Sequence, residues 1–280
     1  MESFIAAALI GVVVGVLSGL LGIGGGTLMV PIFRLGFGLS AFSATATSLF
    51  TIVPTSLVGF VTHIKHKTCI PKLGLICGLA GACMSPVGVY LANISPAWLV
   101  MLAASLIVGY SSYTMFKKAA RMPKTPPVAG TDLEPAVEAA AAAEQEALPA
   151  FEFTRRRVLI AIGIGLLAGL ASGYVGVGGG FIMVPLFLSL LGVVMRQASG
   201  TSLVAVTILA IPGVVEQGFI GNIDYLAGIA MAVGSIPGAI LGANLIRRVP
   251  ERQLRFIFGG FLLVSAVVLL INELAPLLGM

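Results

Sequence analysis

The strongest constraint on this chain is the way its apolar residues are grouped. They come in continuous runs, several of about 20 residues, long enough to cross ~30 Å of hydrocarbon as helix. A membrane barrel would instead show short stretches of alternating polar and apolar positions. Ten apolar segments can be marked, at 3–21, 27–38, 40–62, 72–92 and 96–116, and again at 156–174, 181–194, 198–220, 225–245 and 252–272. Charged residues make up only 10% of the chain, against about 25% in soluble domains, too few to cover a water-facing surface. The fold class is therefore an all-α polytopic membrane protein. The first segment has no basic residues ahead of it and its first charge is Glu2, so it reads as a membrane helix rather than a signal peptide.

A second feature divides the chain. SGLLGIGGGTLMVP begins at Ser18 and SGYVGVGGGFIMVP at Ser172, 154 residues on, with nine of fourteen positions identical. Thr47-Ser48-Leu49 and Thr201-Ser202-Leu203 keep the same offset, as do Gly59 and Gly213, Gly74 and Gly228, and Pro96 and Pro250. Weak internal symmetry of this kind typifies secondary transporters. The expected organisation is a first transmembrane repeat at 1–117, a linker at 118–153 and a second repeat at 154–280. Each repeat holds about five hydrophobic segments. The linker carries prolines, an Ala/Glu run and flanking charge, which exclude it from the bilayer.

Basic residues set the orientation of the repeats. Lys117, Lys118, Arg121 and Lys124 precede the linker and Arg155, Arg156 and Arg157 follow it, which makes it cytoplasmic by the positive-inside rule. The turn at 221–224 has no Lys or Arg, whereas 246–255 has four Arg. Placing those four inside requires the second repeat to be inverted, with both termini outside. Inversion needs an odd number of crossings per half: five, or three if the segments flanking each glycine cluster form a re-entrant hairpin. Arg34 departs from the rule and Arg196 obeys it.

GIGGG and GVGGG are poor helix, since each glycine costs about 1 kcal/mol relative to Ala. Backbone freed in lipid must find partners or line a polar cavity. Close helix packing through small residues explains Gly11 and Gly15, or Gly165 and Gly169, but three consecutive glycines surround a helix rather than line one face. The alternative is a break that starts a new helix, whose N-terminal N–H groups and partial positive charge suit an anion. Two such breaks would face each other across a midplane cavity. The expected substrate residues are Gly24, Gly25, Gly26 and Thr27 with Gly178, Gly179 and Gly180, joined by the hydroxyls of Thr47, Ser48, Thr201 and Ser202. Arg34 is a further candidate, either binding the anion or snorkelling outward. His63 and Glu216 are the proton-coupling candidates, because both titrate toward neutrality in suitable surroundings.

Other chemistry is not indicated. Cys69, Cys77 and Cys83 have no metal-site spacing and read as small buried thiols. No nucleophile elbow, HExxH pair or phosphate-binding loop is present, so neither an enzyme nor a cofactor or metal is expected. The net charge of +5 follows from topology and implies no nucleic acid. The expected partners are a small anionic substrate and the lipid bilayer. A secondary transporter leads, with an anion channel or a non-transporting scaffold as alternatives.

The doubled GxGGGxxxVP phrase, each copy followed by A-x-x-TSL, resembles the TauE/SafE family of sulfite and organosulfonate exporters. The matching residues are Gly22, Gly24, Gly25, Gly26 and Pro31, Gly176, Gly178, Gly179, Gly180 and Pro185, with Thr47, Ser48, Thr201 and Ser202. The resemblance covers both halves but not the linker. It implies export of a small sulfur oxyanion or sulfonate, such as sulfite or thiosulfate, across the bacterial inner membrane, driven by the proton gradient.

Overall fold

The computed structural model describes residues 2–120, 151–246 and 248–277, and these are helical almost throughout. Most of the expected linker, at 121–150, lies outside the described residues, as do the last three residues of the chain. The helices are α1 (Glu2–Leu21), α2 (Gly26–Gly36), α3 (Ala41–Lys65), α4 (Pro71–Ile94) and α5 (Ala97–Ala120). After the linker come α6 (Arg155–Val175), α7 (Gly180–Leu186) with a π-helical turn at Phe187–Leu191, α8 (Met195–Ile220), α9 (Tyr225–Leu245) and α10 (Glu251–Leu277). Six helices, α3 to α6, α8 and α9, are long and apolar enough to cross a membrane. The chain is an all-helical, multi-pass membrane protein.

The ends of these helices follow their local chemistry. Thr154 caps α6 by accepting the Arg157 N–H, and Asp224 caps α9 by accepting the Ala227 N–H at 3.0 Å. Pro71 opens α4, where its missing N–H costs nothing. Several helices run further than the apolar segments suggest, two of them with consequences for the candidate residues. α3 continues through His63 to Lys65, and α8 begins at Met195, which takes Arg196 into the helix.

Glycine-lined seams fix the helix directions. Gly11, Gly15 and Gly19 of α1 press in order on Met231, Ser235 and Ala239 of α9, so these helices run the same way. A Cβ on Gly15 would lie inside the van der Waals shell of the Ser235 backbone, so only glycine permits this approach. α3 also runs with α9: Thr47 meets Asp224, Thr51 meets Gly228, Thr55 meets Ser235 and His66 meets Asn244. Since α1 and α3 are parallel, α2 carries the chain back between them. With 11 residues, α2 is about 16 Å long, roughly half the hydrocarbon thickness. α1 and α2 therefore form a hairpin that returns to the face it came from.

The second half repeats this with its partner helices in the first. Gly165, Gly169 and Gly173 of α6 press on Cys77, Gly81 and Ser85 of α4, and Gly74, Gly78 and Gly81 of α4 on Val204, Ile208 and Leu209 of α8. α6 and α8 are thus parallel and α7 is the return. Each half thus has an opening helix, a short return and three further long helices, an order that fits five crossings or three.

One face collects the positive charge. His66 Nε2 lies 2.6 Å from Asn244 Oδ1, and Arg252 Nε donates to Ala119 O at 3.4 Å. These contacts gather the α3–α4 connection, the end of α5 and the α9–α10 connection together. α6 starts at the same face, because it runs parallel to α4. Among the described residues, every Lys and Arg except Arg34 lies toward this face. That distribution fits an inverted repeat. One expectation fails: of the three cysteines only Cys77 is buried, Cys69 is intermediate and Cys83 is exposed. Cys83 stands on the outer side of α4, where a lipid-facing thiol meets no packing demand.

Candidate functional site

The two glycine breaks share one backbone conformation. Gly22, Gly24 and Gly25 have φ of +74°, +80° and +86°, and Gly176, Gly178 and Gly179 have +73°, +86° and +69°. Side chains strain in this left-handed region. Gly25 and Gly179 are the N-caps of α2 and α7. Ahead of the first intrahelical donors, Leu28 and Met29 to Gly25 O at 3.2 and 3.1 Å, the N–H groups of Gly26 and Thr27 belong to the open end of the helix.

The breaks touch each other. A Cβ on Gly26 would collide with Val177 O, and one on Gly180 would stand 2.6 Å from Gly22 O and 2.9 Å from Ile23 Cα. Two side chains lie beside both glycine turns: Ile52 from α3 and Val206 from α8 each approach the Cβ positions of Gly24 and Gly178, at 2.9–3.5 Å. Both are fully buried. They are themselves related by the 154-residue offset, as are the helices that carry them.

Polar groups surround this contact, and their roles divide. Thr47 and Thr201 are structural ties between the halves. Thr201 Oγ1 accepts the Ile70 N–H and Thr47 Oγ1 accepts the Asp224 N–H, both at 2.9 Å. Each fixes the entry of a fourth helix in the opposite half. Ser202 Oγ donates to Gly22 O at 2.6 Å, holding the first break to α8. Ser48, its counterpart, is buried without a hydrogen-bond partner. Thr27 Oγ1 is likewise buried and unpartnered, and Phe181 holds its place in the second copy.

Ser18 and Ser172 were not among the expected site residues. Both are buried with unpartnered hydroxyls, and the Ser18 Cβ lies 3.5 Å from the Cβ position of Gly25. The signal was available, since these serines open both copies of the doubled phrase. A helical serine usually bonds a carbonyl one turn back, however, and sequence does not reveal when that bond is missing.

The other candidates lie elsewhere. Arg34 is half-buried in the last turn of α2, about 13 Å along the axis from the break. Glu216 stands near the end of α8, with Oε2 buried and unpartnered. His63 is fully buried near the end of α3, with Nδ1 2.8 Å from Thr68 Oγ1 and Nε2 2.8 Å from Gly19 O. Neither titratable group touches the breaks, but Gly19 precedes the first by three residues. Among the described residues no group of His, Cys, Asp or Glu is arranged to hold a metal ion.

Known proteins add the family. The family described as sulfite exporter TauE/SafE matches residues 7–269. The chain is 26% identical to the probable membrane transporter protein YunE of Bacillus subtilis over 90% of this chain and 92% of that one. It is 24% identical to the probable membrane transporter protein YjnA of the same organism over 95% and 99%. Sulfite exporter TauE/SafE family protein 3 of Arabidopsis thaliana is 32% identical over 42% of this chain and 25% of its own length. No solved structure matches significantly. With glycine breaks, hairpins and long helices running through the matched span, the chain belongs to the sulfite exporter TauE/SafE family of membrane transporters.

Proposed function

We propose that this transporter exports a small sulfur oxyanion or organosulfonate, with sulfite as the simplest case, by alternating access around the two glycine breaks. The observation that carries this reading is the contact between two breaks of matching backbone conformation, one of them opening the N-terminus of α2 beside two buried, unpartnered hydroxyls. The N–H groups of Gly26 and Thr27 and the hydroxyls of Thr27 and Ser18 donate to the anion. Gly24 and Gly25 let its oxygens approach the backbone closely. Such a site binds a weakly basic oxyanion without a permanent cation, using the partial positive end of the helix.

Gly178, Gly179 and Gly180 form the facing wall. Ile52 and Val206 lie between the walls and separate when the substrate enters. Ser48 and Ser202 flank the site, and Thr47 and Thr201 transmit its state to the opposite half. The two halves, 1–117 and 154–280, act as inverted copies in a bacterial inner membrane, with the basic face and the 118–153 linker cytoplasmic and both termini outside. The proton gradient drives export, with His63 and Glu216 as the groups that carry or sense the proton.

Purified protein in proteoliposomes loaded with sulfite tests the proposal. A pH gradient should drive sulfite out against its own gradient, which also separates a transporter from a channel. No movement of sulfite, thiosulfate or simple sulfonates under any gradient would remove the substrate assignment.

A further inference from the structure

The two faces of the molecule fasten their interhelical connections by the same device, with one chemical difference. On the basic face the α3–α4 connection, at 66–70, is held by His63. Its Nδ1 lies 2.8 Å from Thr68 Oγ1 and its Nε2 2.8 Å from Gly19 O at the end of α1. Ile70 N–H completes the seam on Thr201 Oγ1. At the opposite face, 154 residues on, Gln217 stands in place of His63 and Asn222 in place of Thr68. Asn222 Nδ2 donates to Gln217 Oε1 at 2.7 Å, and Asp224 N–H completes that seam on Thr47 Oγ1. His63 and Gln217 are equally buried. One clasp is built on an ionisable ring, which can take up a proton once released into water, and the other is not.

We infer that His63 and Thr68 form a proton-released clasp on the cytoplasmic side of the transport path. With neutral His63, the clasp holds the 66–70 connection against the end of α1 and the start of α8, beside the first glycine break. A proton on His63 lets that connection go. The inference rests on reading the breaks as the substrate site.

The hydrogen bonds favour the neutral ring. Gly19 O can only accept, so Nε2 carries the proton, and Nδ1 accepts from the Thr68 hydroxyl. A second proton on Nδ1 forces that hydroxyl to turn away and donate to His63 O, at 3.3 Å instead. It also buries a positive charge with no counter-ion. The titratable and charged groups around the ring are Lys65 on α3, His66, Lys67 and Cys69 in the connection, Lys72 on α4 and Arg196 at the start of α8. α1 presents the uncharged Gly19, α8 presents Gly200 against Nδ1, and α9 presents Asn244, which holds His66. Among the described residues no carboxylate is paired with the ring. A buried, unpaired cation is strongly unfavourable, so the imidazolium moves toward water and takes the connection with it.

Cys69 supplies a reporter that needs no substrate. Its Cβ packs within 2.8 Å of the Cβ position of Gly200, so the thiol is partly covered while the clasp is shut. Burial pushes its pKa up to about 11. The experiment measures maleimide labelling of Cys69 in the full chain in lipid nanodiscs, in a Cys83→Ser background, from pH 8 to pH 5.5. The chain with His63 and Thr68 is compared with the double variant His63→Gln, Thr68→Asn, which copies the opposite face. Dividing one rate by the other at each pH cancels the ordinary loss of thiolate. The ratio should rise at least about fivefold as pH falls through the histidine range. A ratio flat within about twofold overturns the clasp. If the double variant does not fold, His63→Gln alone provides the denominator.

Sulfite efflux then separates this inference from the substrate reading. Where the parent chain moves sulfite, the dependence of efflux on cytoplasmic-side pH, at a fixed pH difference across the membrane, should weaken in the double variant, and an unchanged pH profile overturns the inference. Where the parent chain moves no sulfite but the labelling ratio still rises, the clasp stands and the substrate assignment falls.

Discussion

The first and second glycine breaks have the same backbone and different chemistry. Three glycines in each copy take matching left-handed conformations, and each break presses on the other. The first opens an 11-residue α-helix with a buried Thr27 at its second position. The second opens a seven-residue α-helix that slips into a π-helical turn, has Phe181 where the first has Thr27, and already satisfies the Gly180 N–H on Gly178 O at 2.9 Å. The comparison separates what the fold demands from what function can alter. Backbone contact between the breaks demands glycine in both copies. Side chains at the helix entrance are under no such demand, and there the copies have diverged to Thr27 and Phe181, which the proposed function reads as an anion seat and its facing wall.

The largest expected effects test the shared part. Gly25→Val and Gly179→Val each force a β-branched residue into a left-handed conformation, at a cost of about 1–3 kcal/mol of strain. Both should lower sulfite efflux by at least tenfold while leaving membrane insertion intact. A Gly179→Val protein with normal flux would show that only the first break matters.

The unshared part should answer next. Thr27→Val removes a donor to a charged ligand, about 1.5–3 kcal/mol, so sulfite affinity by calorimetry should fall roughly tenfold or more. Phe181→Val should change it by less than about twofold, since no hydroxyl is lost there. Equal losses in the two variants would contradict the division into seat and wall. A smaller loss, about three- to tenfold for a single hydrogen bond, is expected for Ser18→Ala, with Ser172→Ala weaker still. The smallest effect belongs to Arg34→Gln. At the far end of α2, about 13 Å along the axis from the break, it should alter affinity by less than about twofold.

Much of this arrangement was legible in the sequence, and the missing part has a definite cause. The ten segments match the helices closely, because length and apolar composition suffice to mark a membrane helix. The doubled phrase located both breaks, because only glycine tolerates that backbone. What sequence left open was which helices pack together. The direction of α1 relative to α3 is fixed by contacts to α9 more than 170 residues away. The TSL phrases were visible, but the partners of Thr47 and Thr201 are backbone N–H groups in the other half, which carry no mark in the sequence. Ile52 and Val206 look like any apolar residue until the breaks are brought against them. Cys83 was misplaced because hydrophobic residues in a membrane protein face lipid as readily as they face the core.

The glycine seams bear on how the protein is made. α1 packs along α9, and α6 along α4, so each half supplies the partner for the other's opening helix. As the chain leaves the ribosome, the glycine seam of α1 has no mate until residues 225–245 follow it into the bilayer. Its bare glycine stripe must wait, shielded by lipid or by the insertion machinery, through most of synthesis. Two half-chains cut within 118–153 should therefore be unstable when expressed singly and should rescue each other when expressed together.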